Sequence, residues 1–161
     1  MNKNRLIKLS KLVVITILMY FLGYLRDFIF VTINDESSAV YYHDIRPVLP
    51  DFMNFISTMD YKHLLQLKLL FTILFALLFF LIAFFGIYLL FKEKTYRQLC
   101  AIFYVSLFLV SSLFVITGIA FPSFSDHAYN ISRNLMHIAQ SPFTILFLFM
   151  VIYYHKNART S

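Results

Sequence analysis

Residues 69–91 and 99–121 are each 23 residues long and contain no charged side chain. A helix needs about 20 mostly apolar residues to cross a hydrocarbon core of about 30 Å, so each stretch is long enough for one span. Two more stretches qualify. Residues 12–33 are interrupted near their end by Arg26-Asp27, and residues 135–154 carry His137, Gln140 and Pro142. The expectation is an all-α polytopic membrane protein, a bundle of four transmembrane helices forming a single membrane domain over residues 1–161. Composition agrees. The chain is 60% hydrophobic and 14% charged, whereas soluble domains are about 45–50% apolar and about 25% charged. Its single cysteine excludes an intramolecular disulfide framework and a cysteine-based zinc site.

Orientation follows from the basic residues that flank the spans, because short cytoplasmic loops are rich in Lys and Arg. Nine of the fourteen basic residues (Lys3, Arg5, Lys8, Lys11, Lys92, Lys94, Arg97, Lys156 and Arg159) lie at the N-terminus, in the loop between the second and third spans, or at the C-terminus. Seven of the eight acids lie on the other side, Glu93 being the exception. Both termini are therefore expected in the cytoplasm. The pI near 9.5 is explained by a basic rim beside anionic headgroups, so membrane lipids rather than nucleic acid are the expected partners. Trp is absent, leaving Tyr88, Tyr96, Tyr153 and Tyr154 on one side and Tyr41, Tyr42, Tyr61 and Tyr129 on the other as the interfacial belt. The basic start followed by an apolar run also resembles a signal peptide, with Ser37-Ser38-Ala39 as a cleavage point. The run continues through Phe28 to Ile33, which favours a retained anchor.

The outer loop, residues 34–68, is too long for a plain connector. Pro50 can open a short helix over residues 51–60, in which Phe52, Phe55, Ile56 and Met59 fall at i, i+3, i+4 and i+7. Such a stripe lies in the headgroup layer, packs over the bundle, or docks an envelope partner.

The fourth helix must run through Ser141-Pro142 with a kink, because the residues after Pro142 are too few to span alone. Tyr129, Arg133, His137 and Gln140 then share one face. Arg26 and Asp27 reach the same outer-leaflet depth on the first helix. Ionisable groups within a membrane face the bundle interior and pair with one another. Helices 1 and 4 are therefore expected to pack, with Asp27 meeting Arg133 and with His137 and Gln140 beneath. The cluster Arg26, Asp27, Arg133, His137 and Gln140 reads as structural pairing or as a binder of an anionic ligand.

No catalytic, metal or cofactor site is expected. A bis-histidine haem needs a second histidine within a span, and His43, His63, His127 and His155 fall in loops or ends. Cys100 reads as a small apolar residue. Ser106, Ser111, Ser112 and Thr117 read as packing and hydrogen-bonding groups between helices. Asn130-Ile131-Ser132 matches a glycosylation sequon, a pattern that arises often by chance.

Tyr20-Phe21-Leu22-Gly23-Tyr24-Leu25-Arg26-Asp27-Phe28, Tyr129-Asn130-Ile131-Ser132-Arg133 and Gln140-Ser141-Pro142 resemble stretches of the small integral membrane proteins that accompany exosortases in Bacteroidetes, flavobacteria especially. The resemblance implies a four-helix accessory partner of a polytopic sorting transpeptidase of the cell envelope. An exosortase itself uses a Cys/Arg/His constellation near the outer face. This chain has Arg133 and His137 there but no outer cysteine, so it does not resemble the peptidase, and no functional residue is carried over. The expected function is that of a non-enzymatic accessory protein. The alternative is a small transporter or a lipid- or anion-binding membrane protein.

Overall fold

A computed structural model describes residues 3–91 and 93–158, with side chains from Leu6 onward. Lys92 and Arg159, and the side chains of Lys3 and Arg5, used above for orientation, lie outside the described residues. The described chain contains helices and no strands. They are α1 (Lys3–Tyr42), a 3₁₀ helix (Asp51–Thr58), α2 (Tyr61–Phe91), α3 (Lys94–Ala120), a 3₁₀ turn (Pro122–Phe124), α4 (Ser125–Ala139) and α5 (Pro142–Ala158). Three helices, α1, α2 and α3, are long and apolar enough to cross a membrane. The pair α4 and α5, bent by 61° at a short break, makes a fourth if counted as one span.

Helix α1 extends well past the expected 12–33. Its 40 residues span about 60 Å, roughly twice a hydrocarbon core. Apolarity sets the length of helix that lipid accepts, not the length of the helix. Nothing in Asn34 to Tyr42 is a proline or glycine, and a buried stripe continues through it. Ile15, Met19, Leu22, Ile29, Ile33, Glu36 and Ala39 are all buried, at spacings of three, four or seven. The helix stops at His43, whose φ of 57° is left-handed. The Asp44 N–H then reaches back to the Ala39 carbonyl at 3.0 Å, the six-to-one bond of a Schellman cap.

The expected loop 34–68 thus shrinks to residues 43–60, and the second helix starts at Tyr61 rather than 69. Within the connection, the short helix is 3₁₀, not α. At three residues per turn, Met53 and Ile56 share the buried face while Phe52 and Phe55 share the exposed one. Met59 is half-buried and packs on the core. The expected single stripe Phe52, Phe55, Ile56 and Met59 is therefore split between two faces. The connection folds back along α1, since the Phe52 ring stacks on Phe28 at 6.0 Å between centroids.

Helix α2 is the centre of the bundle and touches α1, α3, α4 and α5. Phe75, Ala76, Phe79, Ala83 and Ile87 form its buried stripe. Where α2 meets α5, a Cβ on Gly86 would stand 2.7 Å from the Phe149 Cζ, so only hydrogen fits there. Small residues likewise bring α3 and α4 together. Gly118 faces Ala128, and the hydroxyls of Ser111 and Ser132 share a buried hydrogen bond of 2.6 Å. Ser111 thus bridges helices as expected, whereas Ser106 and Thr117 bond carbonyls of their own helix. Helix α5 ends beside the start of α3, where Lys156 pairs with Glu93 at 2.6 Å and the His155 ring meets Tyr96 edge-on.

Candidate functional site

The break between α4 and α5 organises the polar residues. Proline lacks an N–H and disfavours helical backbone in the residue before it, so Ser141-Pro142 ends α4 and opens α5. The Ser141 hydroxyl accepts the Phe143 N–H at 3.3 Å as an N-cap. Carbonyls freed in this way are costly among apolar side chains, and two of them find side-chain donors. The Ile138 carbonyl accepts the Thr144 hydroxyl at 2.7 Å. The Gln140 carbonyl accepts Arg26 Nη1–H at 2.8 Å, across from α1. The buried Gln140 amide donates in turn to the Thr72 carbonyl of α2 at 2.7 Å. Next to this junction the Pro142 ring rests on Gly23, where a Cβ would come within 3.3 Å of Pro142 Cγ.

Three helices therefore meet at one level through Arg26, Gln140 and Thr72, which bears out the expected approach of the chain's first and last helices. The expected Asp27–Arg133 pair does not form. Asp27 is held by its own neighbour, Arg26, at 2.5 Å. The bend sets α4 against α3, and the Arg133 guanidinium lies over the Tyr129 ring, 5.9 Å from its centroid. His137 is exposed and lies within electrostatic range of Arg26, Asp27, Lys68 and Arg133.

Sequence reasoning passed over two residues here. Lys68 of α2, one turn before Thr72, is half-buried and within range of Arg133. It lies four residues after the buried Leu64 and seven before the buried Phe75, a helical spacing that marks it as facing the bundle. Glu36 is fully buried, and its carboxylate is compensated by Arg46 Nη1 at 3.1 Å, while the Arg46 guanidinium also donates to the Ser57 carbonyl. Glu36 reads in sequence as one more acid of a polar loop, but it stands three residues after Ile33 and seven after Ile29, on the α1 stripe.

Along the helices the surface is rich in exposed apolar side chains. An open groove of about 380 Å³ between α1 and α2 is lined by residues such as Val14, Leu18, Ile82 and Phe85. Cys100 is buried. Among the described residues no group of three His, Cys, Asp or Glu side chains is placed to hold a metal ion. Comparison with protein-family models, with curated proteins and with solved structures returns no match to this chain.

Proposed function

We infer that this is a non-enzymatic accessory protein of a bacterial inner membrane, with both termini cytoplasmic and the 43–60 connection on the outer side. There it holds a larger polytopic membrane protein, an exosortase-type sorting transpeptidase. One observation supports the reading most. The connection is pinned to the bundle by Met53, Ile56 and the Arg46–Glu36 pair, yet it leaves Ile45 97% and Val48 100% exposed, with Phe52 and Phe55 exposed beside them. A fixed segment that keeps several apolar side chains uncovered has the character of a binding surface. The sequence resemblance supplies the kind of partner, and the basic flanks of the spans supply the orientation.

The test is co-purification of the tagged protein from its native membrane in mild detergent. The expected result is recovery of an exosortase-type peptidase in near-equal amount, lost in Ile45→Ser/Val48→Ser, whose side chains are fully exposed, while the variant keeps its unfolding temperature. Recovery of the protein alone, or of the peptidase undiminished by the double substitution, overturns the reading.

A further inference from the structure

Lys68, Arg133 and His137 form a basic face in which the positive charges lack a counter-ion. Asp27 is the acid whose charge reaches His137, and Arg26 already holds it at 2.5 Å. Neither Lys68 nor Arg133 makes an ion pair among the described residues. The position of this face in the membrane follows from α2. The uncharged run after Lys68, residues 69–91, covers about 35 Å of helix, the full hydrocarbon core. Lys68 is therefore the first residue outside that core, at the level of headgroup phosphates. Arg133 lies seven residues before Gln140 on α4, about 10 Å from the α1–α2–α5 junction, and His137 lies between them. The junction fixes the helices that carry the three side chains, because Arg26 and Gln140 tie α1, α2 and the α4–α5 break by hydrogen bonds of 2.7 to 2.8 Å.

We propose that Lys68, Arg133 and His137 bind a phosphate group, above a floor made by Arg26 and Gln140. A guanidinium offers paired donors that match phosphate oxygens, and an ammonium adds a compact charge. A phosphate with one substituent in lipid and its oxygens at the interface would lie at the level of Lys68, the residue that bounds the uncharged run of α2. The ligand is either the headgroup of an anionic phospholipid or a free phosphate compound from the aqueous side.

The experiment measures binding to the full chain in maltoside detergent, by native mass spectrometry for lipid and by thermal shift for inorganic phosphate. Dioleoylphosphatidylglycerol, dioleoylphosphatidylcholine and inorganic phosphate are the three probes. Phosphatidylglycerol bound more tightly than phosphatidylcholine identifies a lipid headgroup, and protection by inorganic phosphate identifies a free phosphate group. In either case Lys68→Gln/Arg133→Gln raises the half-saturating concentration about tenfold or more, as expected for two interfacial charges. The charge-keeping Lys68→Arg/Arg133→Lys variant stays within about threefold of wild type. Arg133 is exposed and makes no hydrogen bond among the described residues, so Arg133→Gln alone serves if the double variant does not fold, with a loss of about fivefold. Equal binding of the two lipids together with no effect of phosphate overturns the proposal. So does a Gln variant that folds and binds as wild type does.

Discussion

Arg26 illustrates how a charge becomes affordable at membrane depth. Its guanidinium is divided between the Asp27 carboxylate and the Gln140 carbonyl, so both its charge and its donors are used within the protein. Glu36 is the opposite case, a fully buried carboxylate whose single compensating charge, Arg46, reaches in from an exposed position. Arg46→Ala leaves Glu36 buried without a counter-charge and is expected to cost about 1–3 kcal/mol, less than for a wholly buried pair. Glu36→Gln in the same chain recovers most of that loss in a thermal-unfolding cycle, and an additive pair would show that the two do not interact. His43 carries the left-handed backbone of the α1 cap with a side chain that gains nothing from it. His43→Gly is expected to stabilise the protein by up to about 1 kcal/mol, read as a higher unfolding temperature.

At the scale of elements, close helix approach depends on missing side chains. Gly86→Ala forces its new Cβ against Phe149 and is expected to destabilise by about 1–3 kcal/mol. Adding Phe149→Leu should relieve part of that cost, because the atom in the way is gone. The start of α2 is held differently. Asp60 Oδ1 accepts the His63 backbone N–H at 2.9 Å and meets His63 Nδ1 at 2.5 Å. These two bonds, the backbone one foremost, hold the Asp60 carboxyl below the ordinary carboxylate range. A depressed carboxylate adds stability above its unfolded pKa and loses it as the pH falls through its folded value. Asp60→Ala should therefore lower the unfolding temperature at neutral pH, and the gap to wild type should close in the acid range below about pH 4. The first three spans were legible because long uncharged runs are a strong signal, whereas the expected fourth helix over 135–154, kinked at Ser141-Pro142, is two helices broken there and bent by 61°. The pitch of the 51–58 helix was not legible either. Phe52, Met53, Phe55 and Ile56 are consistent with either period, and packing on α1 decides which of them turn inward.

At the scale of the whole molecule, three to four helices are long and apolar enough to cross a membrane, and the orientation proposed for them is directly testable. Asn54→Cys in a Cys100→Ser chain should react with a membrane-impermeant maleimide on intact spheroplasts, and Lys94→Cys should react only after lysis. The reverse pattern would invert the topology. The candidate site was only half visible in the sequence. Arg26, His137 and Gln140 stood out as polar residues inside apolar runs, whereas Lys68 and Glu36 sit where polar residues are ordinary and reveal themselves only by continuing a buried stripe. The failure of Asp27 to meet Arg133 was not legible, because the 61° bend between α4 and α5 sets Arg133 beside α3. The bond from Arg26 to Gln140 joins residues 114 positions apart, and that separation has a meaning in time. A growing chain delivers its arginine to the bilayer long before the carbonyl that completes it has been synthesised. That contact cannot close until the last helix has been made, and a chain truncated short of Gln140 leaves Arg26 with Asp27 as its partner and one donor unused.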